Sequence, residues 1–334
     1  MSVHQAPASS RVWPDSAGSL LRRFLLTPEA PALVFLVALV TFFEISTGRF
    51  LTPDNVEGVL AQVAVLGIVA LGVNQVVLSG EIDISVGSML GLCCVAAGYV
   101  ATASGGIVLP LLAAVAMGAV AGGINGVLVA WGRVPAIIVT LGGLYGLRGL
   151  ILIWTGGTWI TGVPRESRVL GVGSTFGILN PVLVLLLLLV VMTVVNRHTG
   201  WGRNVFAVGG NRKAARLAGL PINRTRFLTF LLVGLFVGIA ATVFLGRAGT
   251  VQSNTGAGLE LQVVASVVIG GTSIAGGRGS SLAAVTGAVL IGVILNGMIL
   301  MRVPGIWQNV VLGGLILLAV STDSLRRRIL GGRS

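Results

Sequence analysis

Ten long apolar runs, separated by short polar breaks, organise the chain. They cover 30–46, 56–79, 84–104, 107–130, 134–154, 178–195, 227–246, 258–275, 280–301 and 305–321. A helix needs about 20 apolar residues to cross the hydrocarbon core, and most of these runs have that length. The pattern predicts an all-α polytopic membrane protein, a bundle of about ten transmembrane helices. Residues 1–27 read as a polar tail, 28–322 as the transmembrane domain with a loop at 196–226, and 323–334 as a basic C-terminal tail. The first run follows a basic tail but lacks a small-residue cleavage site, and Glu44 interrupts its end. It reads as a retained span rather than a signal peptide. At 80–88 and 258–275 the pattern leaves both simple turns and re-entrant breaks open.

Charge orients the bundle. With the N-terminus inside, the inside segments hold sixteen Lys and Arg and the outside segments five, while Arg148 falls within a span. The excess on one side predicts that both termini are cytoplasmic. Composition agrees: 54% of residues are hydrophobic and 10% charged, against about 25% charged in soluble proteins. Mean hydropathy is +0.98. The net charge of +12 is spread between apolar runs without interleaved aromatics, so it does not describe a nucleic-acid surface.

The 50 glycines fit helix packing in lipid, where small residues let backbones approach. Gly118-xxx-Gly122, Gly142-xxx-Gly146 and Gly234-xxx-Gly238 have the spacing for it. Cys93 and Cys94 are neighbours in one apolar run and read as small packing residues.

Several chemistries are excluded. A phosphate loop needs Lys followed by Ser or Thr, but the one lysine, Lys213, precedes Ala214. The two histidines, His4 and His198, lie outside the apolar runs. No catalytic, cofactor-binding or metal-binding residues are expected, which leaves a passage for solutes.

GEIDISVGS, 80–88, is the most polar interruption between two spans. Charges at membrane depth cost about 2.5–3.5 kcal/mol on insertion scales, so Glu81 and Asp83 require an explanation. One reading is a tight turn in which Asp83 or Ser85 caps the next helix. The other is a helix break that offers carboxylates and hydroxyls to a polar solute. Asn74, Gln75, Asn125, Asn296 and Gln308 add amides within spans, which suit interhelical bonds or a neutral, hydroxyl-rich solute.

The loop 196–226 carries seven positive charges and no acid. Asn211 is placed to cap a short helix over 212–218 that stops at Gly219 and Pro221. Ala214, Leu217 and Ala218 share one face, rimmed by Arg212, Lys213 and Arg216. An exposed helix with an apolar face suits docking of another protein.

Three segments resemble the permease subunits of bacterial ABC importers in the monosaccharide branch (ribose, xylose, rhamnose, autoinducer 2). GEIDISVGS is similar to that branch's GGIDLSVG signature, with Glu81 where many members have Gly. GRNVFAVGGNRKAARLAGL is similar to its coupling segment, and LQVVASVVIGGTSIAGGRGS, 261–280, to its third signature. The resemblance covers about 45–320. It implies a multi-pass protein of the bacterial inner membrane and no enzymatic activity of its own. The implied partners are a cytoplasmic ABC ATPase, a periplasmic sugar-binding protein, and a second, identical or paralogous permease chain. It also implies a translocation path at Asp83, Ser85 and Ser88 and near the third signature at Thr272 and Ser273, to which Glu81, this sequence's own addition, and the span amides Asn74, Asn125 and Asn296 are expected to contribute. ATPase coupling is implied for Arg203, Asn211, Arg212, Lys213, Ala214, Ala215, Arg216, Leu217 and Gly219. The usual E-A-A-x-x-x-G motif stands here as Lys213-Ala214-Ala215 and Gly219, so its charge is reversed and its spacing kept. Arg278 is expected to oppose Glu81 or Asp83. Two other classes remain: an ion-coupled secondary transporter using Glu81 and Asp83, and a branched-chain amino-acid importer permease.

Overall fold

In the computed structural model, residues 30–331 are described. The tail assigned to 1–27 and residues 332–334 lie outside the described residues. The helices are α1 (Ala30–Thr47), α2 (Pro53–Leu78), α3 (Val86–Ser104), α4 (Val108–Ala130) and α5 (Ala136–Thr155). After a 3₁₀ turn at Arg165–Arg168 come α6 (Val169–Val172), a hairpin of β1 (Ser174–Thr175) and β2 (Ile178–Leu179), and α7 (Asn180–His198). Then follow α8 (Gly200–Gly210), α9 (Arg212–Leu217), α10 (Ile222–Ala248), α11 (Leu259–Ile269), α12 (Ser281–Leu300) and α13 (Gly305–Gly331).

Among the described residues, seven helices are long and apolar enough to cross a membrane: α2, α3, α4, α5, α7, α10 and α12. Shorter apolar helices lie at Val34–Thr47, Leu259–Ile269 and Gly305–Leu318. The protein is therefore a polytopic helical membrane protein. At 258–275 only part of the run is helical: α11 has 11 residues and rises ~16 Å, about half of a core of ~30 Å. The helix starts at Leu259 after Gly258 in the left-handed region (φ +82°) and stops at Gly270.

What precedes α11 is a chain of turns, 249–258, that runs down one face of α3. Val251 meets Gly98, the Thr255 carbonyl meets Gly91, and the Gly256 carbonyl meets Gly87. Between Gly98 and Gly87 the segment descends ~16 Å along α3. A side chain at Gly91 or Gly87 would occupy its path. Backbone without helical bonds is tolerated at membrane depth only inside protein or beside water. Arg148 of α5 supplies part of that satisfaction, donating from Nη1 to the carbonyls of Ser253 (3.3 Å) and Thr255 (2.8 Å).

The core is built on α2, α3 and α10. Most of α2 from Val63 to Leu78 is buried, and α10 packs most extensively on α4. That contact uses two of the expected small-residue pairs. A Cβ on Gly118 would strike the Gly234 carbonyl, and one on Gly234 would strike Gly118. Gly122 lies against Phe230 and Gly238 against Ala114 and Val115. Gly142 and Gly146 of α5 have nothing within 4 Å, so that pair packs no helix among the described residues. Cys93 and Cys94 are buried and free.

These contacts separate the glycines by consequence. Gly234→Ala is expected to lower stability by about 1–3 kcal/mol through overpacking. Gly142→Ala should be neutral or raise stability by up to ~1 kcal/mol, since it removes a mid-helix glycine. Thermal unfolding of the detergent-solubilised protein checks the contrast; equal losses would contradict the packing.

Candidate functional site

Three glycine-bearing segments meet at the end of the bundle where α2 stops and α9 lies. Gly80 (φ +79°) turns the chain out of α2. The Gly277 N–H donates to the Leu78 carbonyl at 2.9 Å. A Cβ on Gly209, in α8, would collide with that same carbonyl, and one on Gly276 with Gly80. The first signature, the coupling segment and the third signature thus interlock backbone to backbone. This is called the basic end below.

Beyond Gly80 the chain stays non-helical to Ser85, and the side chains expected to form the path divide into clusters. In the first, the Asp83 carboxylate is fully buried and its Oδ1 accepts from Ser85 N–H (2.9 Å) and Ser85 Oγ (2.7 Å). Asn125 of α4 donates to Ser85 Oγ at 2.9 Å, and Ser88 Oγ donates to the Leu144 carbonyl of α5 at 2.7 Å. Asp83 therefore organises the approach to α3 and ties it to α4, while Ser88 ties it to α5. Ser85 precedes α3 in an αR conformation and its side chain caps no N–H of that helix. The second Asp83 oxygen, Oδ2, is buried without a partner.

The second cluster centres on Asn74. Its Oδ1 accepts from Thr272 Oγ1 (2.7 Å) and its Nδ2 donates to the Ser280 carbonyl (3.2 Å), fastening α2 to the 270–280 loop. Ser273, also buried, donates its backbone N–H to the Arg278 carbonyl in that loop. Asn296 lies at the opposite end, where it exchanges bonds with Asn55 at 3.0 and 2.9 Å.

Glu81 stands apart from both clusters. Its Oε1 receives Arg212 of α9 at 2.5 Å and Arg226 of α10 at 2.6 Å. This corrects the expected partner: Arg278 is exposed, and Arg212 and Arg226 hold Glu81. The turn after α9 folds the start of α10 back beneath it, which brings both guanidinium groups to one carboxylate. Asp83 is occupied by Ser85 instead.

The short helix α9 forms as its residues predict. Asn211 Oδ1 accepts from Ala214 N–H at 3.0 Å, and Gly219 (φ +70°) ends the turn. Ala215 is buried against Val208 and Ile222. Ala214 and Ala218 are exposed and Leu217 is 90% exposed, so the apolar face points away from the bundle. Lys213, Arg216 and, on α8, Arg203 are exposed around it.

A cavity of about 410 Å³ occupies the other half of the molecule. Gln62 of α2, Gln262 of α11 and Arg247, Gln252, Asn254 and Thr255 face apolar walls that include Leu66, Leu90 and Phe244. None of the nine path residues lines it. The missed residues had a signal: Gln62 interrupts an apolar run, and QSNTGAG is the polar stretch between two others.

A family model described as the permease component of branched-chain amino acid transport systems matches residues 55–320. The chain belongs to this family of transport permeases. This permease is 37% identical over 292 residues to the autoinducer 2 import system permease protein LsrC of Salmonella typhi, covering 87% of this chain and 84% of the relative. It is 36% identical to LsrC of Yersinia enterocolitica, over 87% and 81% of the two chains. Against LsrC of Enterobacter sp. (strain 638) it is 36% identical over 300 residues, 90% and 87% of each. No solved structure matches. The resemblance to monosaccharide-type ABC permeases read from the three motifs is thereby established, and these relatives are transport components.

The geometry separates structure from charge at Asp83. Asp83→Ala should cost about 1–3 kcal/mol, because it leaves the buried Ser85 N–H unpartnered. Asp83→Asn keeps an acceptor and should unfold close to wild type. Thermal midpoints of the two variants check this; equal loss would mean that the bonds to Ser85 are not what holds the break.

Proposed function

We propose that this permease is the membrane-spanning subunit of an ATP-driven importer for a small, neutral, hydroxyl-rich solute of the autoinducer 2 and monosaccharide class. One observation carries the proposal: an amide-lined cavity and an outward-facing docking helix stand at opposite ends of one bundle. With the basic end in the cytoplasm, α9 faces a separate ATPase and the cavity faces a periplasmic binding protein. The cavity's end also bears the exposed side chains of Trp159 and Phe176, 60% and 97% exposed, which suit contact with that protein. Counting the 249–269 segment as one crossing, half turns and half helix, together with α1 and α13, makes ten. Both termini then lie inside.

The walls fit the substrate class. Each sugar hydroxyl both donates and accepts, and so does each amide of Gln62, Gln252, Asn254 and Gln262. Leu66, Leu90 and Phe244 offer an apolar surface for C–H faces, and no carboxylate lines the cavity. Cavities of a few hundred Å³ with convergent polar groups are typical small-molecule sites.

The mechanism needs no covalent step. ATP-driven closure of two ATPase domains displaces α9, and Arg212 transmits the displacement to Glu81 and the 80–85 break. Asp83 and Ser85 carry it to α3, along which the 249–258 segment forms one side of the cavity. ATP drives the change because the ATPase binds the two permease states with different affinity. A matched ATPase offers an acidic spot to Lys213. The unpartnered Asp83 Oδ2 favours a second reading, coupling to a proton or cation.

Reconstitution decides between them. Proteoliposomes holding the permease, its ATPase and its binding protein should accumulate labelled autoinducer 2 only with ATP. Replacing Gln252 and Asn254 by Ala should weaken half-saturation about fivefold each, one hydrogen bond of ~1 kcal/mol apiece. Concentrative uptake by this chain alone under an imposed ion gradient would establish the second reading.

A further inference from the structure

At the basic end, four arginines line adjoining clefts, and two of them, Arg212 and Arg226, hold Glu81. Arg133, in the tight connection between α4 and α5, joins Arg212 and Arg216 of α9 and Arg226 of α10. They line two adjoining clefts of about 580 and 390 Å³, which share Arg133, Arg212 and Arg226. Among the described residues Glu81 is the one acidic residue lining either cleft, against four arginines, so the lining carries an excess of three positive charges. Arg226 is the deepest of the four, with its side chain 11% exposed. Its Nε is buried without a partner. A buried donor left unpartnered is costly, and guanidinium groups pair best with a planar or tetrahedral oxyanion. Arg133 is held at φ +57°, a conformation rare outside glycine.

The remaining walls say what kind of anion fits. Val134, Pro135, Ala136, Ile137 and Ile274 are apolar, which suits a phosphate that carries hydrocarbon. Apolar surface continues from the cleft along α5, where Ile137, Ile138 and Leu141 are 48%, 58% and 41% exposed. Next to it, the 52% exposed Trp131 packs on Phe227 at 5.1 Å between ring centres. Tryptophan concentrates at the membrane–water interface, and basic pockets between helices at the cytoplasmic face bind anionic headgroups.

We propose that this cleft binds the phosphate of an anionic phospholipid, with its acyl chains along α5. The bound phosphate pairs with the exposed Arg133 and Arg216 beside the positive charge of Arg226, while Glu81 keeps its contacts with Arg212 and Arg226. It thereby holds the docking helix and the start of α10 together beside the break. Placement in the cytoplasmic leaflet rests on the orientation proposed above. Binding does not, so the test reads binding rather than transport.

The full-length permease in detergent is titrated with phosphatidylglycerol, phosphatidylcholine or inorganic phosphate, and bound lipid is counted by native mass spectrometry. Phosphatidylglycerol should bind more tightly than phosphatidylcholine. The variant Arg133→Gln with Arg216→Gln removes two exposed side chains and should weaken phosphatidylglycerol binding roughly fivefold per arginine, on the order of 25-fold together. Arg165→Gln with Arg302→Gln removes the same charge at the other end and should leave binding unchanged. Equal weakening in both variants would reduce the effect to general attraction and overturn the site. Saturation by inorganic phosphate with the same arginine dependence would make the ligand a soluble phosphate instead. Unchanged lipid binding with reduced ATPase affinity would assign the arginines to an acidic protein surface, and the lipid site would be lost.

Discussion

The bond from the Gly277 N–H to the Leu78 carbonyl sits where three segments of this permease meet backbone to backbone. It closes the last turn of α2, anchors the 270–280 loop, and forms where Gly209 of α8 presses on the same carbonyl. The bond forms because all three segments present bare backbone at that point. Any side chain on Gly209 would separate α8 from α2, and α9, which starts three residues further on, would move with it. Asn74 reinforces the junction from within α2 through Thr272 and Ser280.

The same economy of side chains recurs where the chain abandons the helix. The turns at 249–258 lie in a trough on α3 made by Gly87, Gly91 and Gly98, and Arg148 covers two of the exposed carbonyls. Backbone at membrane depth must find such partners. These segments are therefore enclosed by the bundle, and one of them borders the cavity. Helix-to-helix contacts such as Gly118 on Gly234 give a rigid frame around them.

Some of this was legible in the sequence and some was not. The spans were readable because a 20-residue apolar run is a coarse signal. The short helix α9 was readable too, since Asn211, Gly219 and Pro221 are local punctuation. The end of α11 was not, because the apolar run continues past Gly270 while the helix does not. Charge sign suggested that Glu81 has a cationic partner, but Arg212, Arg226 and Arg278 are equivalent until the turn at Gly219 is folded. Asn74 and Thr272 are 198 positions apart, and no pattern of spacing joins them. The amides of Gln62, Gln252, Asn254 and Gln262 were overlooked because each is ordinary alone; the cavity exists only once α2, α11 and the turn segment converge.

The central claim is that Glu81 links the docking helix mechanically to the cavity. It is tested most directly by spin labels at Leu217 on α9 and Thr250 at the cavity, with pulsed-resonance distances measured in the assembled transporter with and without ATP. The account predicts that both labels move on ATP binding in the wild type. In Glu81→Gln, Leu217 should still move while Thr250 stays where it was without ATP. A full Thr250 displacement in Glu81→Gln would contradict it.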